Sequence, residues 1–176
     1  MKTNITLICL LPNYSKNVAK LLCDKLDMYF TDVEDMLEFE LGDVDHIMNM
    51  LGSKEGKKYM KETEVKVVKR IASFENTLVC IEPTTLFSNK NFDRLKKTSY
   101  IIYLQISPKF LGKRAEDTKD IIDEKMLTLA FTEKDKMYVD SSDIVLNCST
   151  YKEKKAFKKL IVAINSFFKK NKKEEE

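Results

Sequence analysis

Short apolar runs alternate along the chain with stretches whose apolar positions recur every third or fourth residue. The run over 5–11 (Ile5, Leu7, Ile8, Cys9, Leu10, Leu11) is apolar nearly throughout, as a parallel strand covered on both faces must be. Further strands are predicted over 28–31, 77–81, 99–106 and 143–147. The clearest carries Tyr100, Ile101, Ile102, Tyr103 and Leu104 in succession. Helical spacing predicts helices over 17–26, 32–41, 44–51 and 55–73, with Gly42 as a stop signal between the second and third. Others are predicted over 89–97, over 109–138 in two or more pieces, and over 154–169, where Ala156, Leu160, Ile161 and Ile164 mark an amphipathic face.

Five strands separated by helices imply right-handed crossovers. The expected class is therefore α/β, a three-layer αβα sandwich on a five-stranded parallel sheet. Ligands of such sheets bind beyond the carboxyl ends of the strands, so the loops after Leu11, Thr31, Ile81 and Gln105 carry the functional question. A chain of 176 residues with 43% hydrophobic composition is expected to form one domain over 1–168, with 169–176 a charged flexible tail.

Thirty-one basic residues stand against 28 acidic ones, a net charge of +3, which gives no reason to expect nucleic acid. No apolar run approaches the roughly 20 residues of a membrane span, so no membrane partner is expected. Cys9, Cys23, Cys80 and Cys148 are widely spaced without a C-x-x-C pair. They read as free thiols in a reducing, cytoplasmic setting.

The opening strand, break and helix have the layout of a nucleotide-binding loop. There, glycines let backbone N–H groups close on phosphate, and a Lys-Ser/Thr pair meets phosphate and Mg²⁺. From Cys9 to Asn17 this chain has no glycine. Arginine, the preferred partner of phosphate and carboxylate groups, occurs only at Arg70, Arg94 and Arg114.

Other segments carry a family pattern in order and spacing: Leu21-Leu22, then Phe30-Thr31-Asp32-Val33-Glu34 with Glu38, then Ile101-Ile102-Tyr103-Leu104. Lys134-Asp135-Lys136-Met137-Tyr138 and Ser142-Asp143-Ile144-Val145 complete it. Over nearly its whole length the chain resembles shikimate kinase, a P-loop kinase family that phosphorylates a cyclic hydroxy-acid with ATP and Mg²⁺. The resemblance implies that family's P-loop fold.

Against the family's Gly-x-x-Gly-x-Gly-Lys-Ser/Thr, Cys9, Pro12 and Tyr14 stand at the three glycines, Ser15 at the lysine and Lys16 at the Mg²⁺-ligating hydroxyl. The would-be cofactor loop of Pro12, Asn13, Tyr14, Ser15, Lys16 and Asn17 is thus degenerate. Pro12 removes a donor, and Tyr14 puts a ring where backbone must approach phosphate. Each lost charge-assisted hydrogen bond forfeits roughly 1.5–3 kcal/mol. The family's Gly-Gly-Gly turn resembles Glu82-Pro83-Thr84, and its arginine-bearing lid aligns with about 117–125, with Asp120 at an arginine position.

On the acceptor side, Met60-Lys61-Glu62-Thr63-Glu64 resembles the family's Phe-Arg-x-x-Glu. Lys134 replaces its late arginine and Glu34 its substrate-binding aspartate. The resemblance thus leaves Asp32, Glu34, Lys61 and Lys134 as a relict pocket for a small anion. Read without it, the two lysines are surface residues and Asp32 is a helix N-cap. His46, the only histidine, reads as a surface residue.

The altered motifs point to a member that does not transfer phosphate, with no catalytic residue, no metal and no nucleotide cofactor. Such a protein would serve as a binding or regulatory module for a small carboxylate or a protein partner. The alternative is an active small-molecule kinase using ATP and Mg²⁺ through an atypical loop, with Lys16 in place of the usual lysine. A third reading makes Pro12 and Tyr14 an apolar contact surface for a protein partner. Burial of Tyr14 favours the first reading over the third.

Overall fold

The computed structural model describes residues 2–42, 46, 49, 50, 52–81, 89–118 and 124–174. Strand β1 (Asn4–Cys9) is buried at every position because it lies mid-sheet between β3 (Thr77–Ile81) and β4 (Ser99–Gln105), with Thr6 opposite Val79 on one side and Ile101 on the other. Strands β2 (Tyr29–Asp32) and β5 (Ile144–Asn147) form the edges, in the order β2-β3-β1-β4-β5, and all pairings are parallel.

Seven helices connect and cover the described strands: α1 (Pro12–Leu26), α2 (Val33–Leu41), α3 (Lys54–Ile71), α4 (Asn89–Thr98), α5 (Pro108–Thr118), α6 (Glu124–Ser141) and α7 (Glu153–Glu174). Alternation along β1 sends Ile5, Leu7 and Cys9 into one core with Tyr14, Val18 and Leu22 of α1 and Leu160 and Ile164 of α7. Ile8 enters the opposite core with Val67, Val68 and Ile71 of α3, Phe92 of α4 and Tyr138 of α6. The sheet is thus covered on both faces, giving the expected three-layer α/β fold.

Two boundaries differ from the periodicity reading. The first strand stops at Cys9 rather than 11, and the first helix starts at Pro12 rather than 17. Proline at the first helical position needs no donor partner and already has helical φ. The Ser15 N–H closes the turn on the Leu11 carbonyl at 3.0 Å. At the other end, α7 runs through the lysine-rich segment to Glu174, where composition alone predicts a flexible tail. Phe167 and Phe168 pack edge-on against Tyr100, with ring centroids 5.7 and 4.8 Å away, and anchor that end of the helix.

Most of the helix expected over 44–51 lies outside the described residues, although His46 itself is helical and exposed. Glu82-Pro83-Thr84 and the middle of the expected lid, including Asp120, also lie outside them. The four cysteines are free thiols, with Cys9, Cys80 and Cys148 buried. No described helix is long and apolar enough to cross a membrane.

Candidate functional site

The carboxyl end of β1 passes into α1 through only Leu10 and Leu11, both buried. Leu11 is the extended N-cap residue (φ −113°, ψ 104°) and supplies no side-chain cap. Its N–H meets the Cys9 Sγ at 3.5 Å, and the Ser15 hydroxyl donates to the Pro12 carbonyl at 2.9 Å. Tyr14 follows in the first turn and is 0% exposed. Its hydroxyl donates to the Tyr151 carbonyl at 2.9 Å, tying α1 to the connection that precedes α7.

Burial pushes the Tyr14 phenol far above its ordinary range, and the neighbouring Cys148 and Cys9 add to the shift. Burial also pushes the Cys148 thiol up to about 12, with Tyr14 and Arg114 opposing. At neutral pH the Tyr14 phenol and the Cys148 thiol are therefore both uncharged.

Lys16, on the first turns of α1, reaches across to the end of β2. Its Nζ lies 2.8 Å from Asp35 Oδ1 and 3.5 Å from Asp32 Oδ1. Burial opposes its charge, but the hydrogen bond to Asp35 and the charges of Asp32 and Asp35 outweigh that and hold the ammonium above its ordinary range. Asp32 is 3% exposed. Burial raises its carboxyl, while the Asp35 N–H and Lys16 pull it back. The same carboxylate caps α2, accepting from Asp35 N–H at 3.1 Å. Asp32→Ala is therefore expected to destabilise the fold by about 0.5–2 kcal/mol in urea denaturation, and Asp32→Asn by less, because Asn preserves the cap.

Of the acceptor-side candidates, Glu34 lies on α2, Lys61 on α3 and Lys134 on α6. Lys61 sits on the exposed face of α3, where it helps line an open groove of about 700 Å³ with Lys57, Lys58 and Val65. Glu64, one turn further along, is 2% exposed and faces α4. Its Oε1 accepts from Asn91 Nδ2 at 2.7 Å, and Arg94 Nη1 donates to Asn91 Oδ1 at 2.7 Å. Lys134 of α6 is half-buried. Burial lowers its pKa, and Glu133 and Glu64 oppose that shift. Glu34 lies close enough to Tyr138 to help raise the phenol, although burial is the larger cause.

Asp135 accepts from Tyr103 Oη at 2.9 Å and from Gln105 Nε2 at 2.8 Å, joining α6 to the end of β4. The Tyr103 and Tyr138 rings, 5.4 Å apart, fill the space between. The sequence reading missed Asn91, Arg94 and Asp135 as members of this polar layer. Asp135 stood inside a quoted motif and Arg94 is one of three arginines, but Asn91 had no local signal. Among the described residues, no group of three or more His, Cys, Asp or Glu side chains is placed to hold a metal ion.

Comparison with known proteins gives this geometry its context. The sequence model described as "Shikimate kinase" matches residues 16–165, beginning just after Pro12–Ser15. A shikimate kinase of Caldicellulosiruptor saccharolyticus is 28% identical over 116 residues, covering 65% of this chain and 64% of that protein. One of Symbiobacterium thermophilum is 26% identical, covering 64% and 63%. The chain thus spans somewhat under two thirds of the length of these curated relatives. Among solved structures, a shikimate kinase from Acinetobacter baumannii in complex with shikimate superposes with a TM-score of 0.77 at 17% identity, covering 94% of each chain. With its family model matched over most of its length and its fold shared, this chain belongs to the shikimate kinase family.

Proposed function

We propose that this family member has lost phosphoryl transfer and acts as a binding or regulatory module. The observation that carries this reading is the join between β1 and α1. A phosphate nest needs several backbone N–H groups wrapped around an anion. Here two residues separate strand from helix, Pro12 has no N–H, and Ser15 N–H is spent on the Leu11 carbonyl. The Tyr14 ring, fully buried, fills the interior beside this turn. Lys16, the only lysine in the turn, is engaged by Asp32 and Asp35. Pro12, Tyr14 and Lys16 therefore do not fit ATP and Mg²⁺ as a P-loop holds them.

The burial of Tyr14 also weighs against a partner surface built on that residue. Lys61 lies on the exposed face of α3, and a small carboxylate approaching Lys134 would meet Glu133 and Glu64 beside it. In calorimetric titration, ATP with Mg²⁺ is expected to give no saturable heat, and shikimate with ATP no ADP. Micromolar ATP affinity, or ADP release abolished by Lys16→Ala, would establish the active-kinase reading instead. A thermal-shift screen with hydroxy-acids addresses the ligand. A true binder at 100-fold above its Kd adds about 2.7 kcal/mol of stability.

A further inference from the structure

Charge is segregated onto one element of this fold. Eight of the chain's 31 basic residues and none of its 28 acidic ones lie between Lys154 and Lys173 of α7. The other 156 residues therefore hold 23 basic and 28 acidic side chains, a balance of −5 hidden beneath the overall +3. Burial then decides where the lysines stand. Ala156, Leu160 and Ile164 face the core. The exposed positions of α7 are Lys154, Lys155, Lys158, Lys159, Lys169 and Lys170, with Val162, Asn165 and Ser166 between the two lysine groups. Among the described residues, Lys154, Lys155, Lys158, Lys159 and Lys169 have no carboxylate within ion-pair distance. The lysines of α3 are arranged differently, because Glu55 and Glu62 stand exposed among them and Lys58 lies 3.9 Å from Glu62. Beside α7, helix α1 exposes Lys20 and Lys25 with Asp24.

We propose that the outer face of α7 adsorbs to an anionic lipid surface, its ammonium groups meeting the phosphate and carboxylate headgroups. Clusters of roughly four to eight lysines on one helix are attracted to such a surface by about 1 kcal/mol each. Three features select a bilayer over other polyanions. The face runs about 24 Å from Lys154 to Lys170 at 1.5 Å per residue, and flexible lysine stems let its ammonium groups reach one plane. Val162, 63% exposed, stands midway along it, where an apolar side chain meets the headgroup boundary of a bilayer. The exposed face carries neither an arginine nor an aromatic ring, the groups that read or stack on nucleic-acid bases. The acidic remainder of the chain is repelled by the same surface, so α7 is the side that docks. Adsorption of this kind needs no apolar span, in keeping with the described helices, none of which can cross a membrane.

Vesicle co-sedimentation at low salt tests this. Vesicles of equimolar phosphatidylcholine and phosphatidylserine are expected to carry the chain down, and vesicles of phosphatidylcholine alone to leave it in solution. Lys158→Gln combined with Lys159→Gln should weaken the partition by roughly 30-fold, two lysines at about 1 kcal/mol each. Lys57→Gln combined with Lys69→Gln makes the same charge change on α3 and should leave the partition nearly unchanged. All four side chains are exposed and glutamine is a good helix former, so circular dichroism should show both variants folded. No binding to the mixed vesicles overturns the proposal, as does equal binding to phosphatidylcholine alone or equal weakening by the α3 variant. Random-sequence duplex DNA is the competing polyanion. If fluorescence anisotropy shows it binding more tightly than the mixed vesicles, with the same dependence on Lys158 and Lys159, the face is a nucleic-acid surface and the proposal falls. The readout is partition to lipid, so it stands or falls separately from the nucleotide titration.

Discussion

Tyr14→Ala is expected to destabilise the fold by about 3–5 kcal/mol, the cost of emptying a fully buried aromatic site. Tyr14 is 0% exposed and among the largest fully buried side chains. It packs in the core formed by α1, α7 and the sheet. Truncation would also orphan the Tyr151 carbonyl that its hydroxyl reaches. Tyr14→Phe separates the two contributions, since it keeps the ring and loses one hydrogen bond worth about 0.5–1.5 kcal/mol. Urea denaturation measures both. Tyr14→Gly restores the residue type that phosphate-binding loops use here, yet it should be at least as unstable as the alanine variant, because glycine costs a further ~1 kcal/mol within a helix. It should gain no ATP affinity either, since Pro12 and the short connection remain. If Tyr14→Ala cost less than the phenylalanine variant, the ring would not be holding α1 in place.

Lys16→Met is expected to cost about 1–3 kcal/mol at neutral pH, because it leaves the buried Asp32 carboxylate without its ammonium partner. The effect should depend on pH with a definite sign. Lys16 is held above its ordinary value of 10.5, so its stabilisation is fully present below about that pH. It is lost as pH rises beyond it. Asp32 is raised by burial and pulled back by Lys16. Removing the lysine lets its carboxyl rise further, and a raised carboxyl contributes stability at acid pH that fades as pH climbs through its folded value. The gap between wild type and Lys16→Met should therefore widen from pH 4 to pH 8. Denaturation curves at several pH values measure it, and a gap independent of pH would mean that Lys16 contributes through its methylene stem alone.

On the proposed reading, the pairing with Asp32 and Asp35 would make Lys16 a poor substitute for a P-loop lysine. Leaving Asp32 and Asp35 for a phosphate would exchange one set of charge-assisted contacts for another and uncover a buried carboxylate. An N-capping aspartate at the end of β2 thus serves two ends at once. It caps α2 and it pairs with Lys16 on the first turns of α1.

Much of the architecture was readable along the chain because its determinants are local. Apolar runs bounded by polar breaks located the five strands, and 3.6-residue spacing located the helices that cover them. The missing glycines, the proline and the tyrosine were equally plain, since backbone permissiveness is a property of the residue itself. Even the early start of α1 had a signal: Tyr14, Val18 and Leu22 recur at intervals of four, and all three are buried. That spacing was masked by the expectation of a loop.

Other features were decided only when distant segments met. Lys16 finds Asp35 across 19 positions, Asn91 finds Glu64 across 27, and Tyr14 finds the Tyr151 carbonyl across 137. Strand order sets these meetings, and strand order is a long-range property that no window of sequence contains. The same holds for Lys61 and Glu64, which share a motif yet part on α3, one to solvent and one to the interior. It holds also for Tyr29 and Phe39, whose aromatic character predicts burial until the topology leaves β2 at an open edge. Residue type determined what each position could do, and the packing of the sheet's two faces determined which of them could do it together.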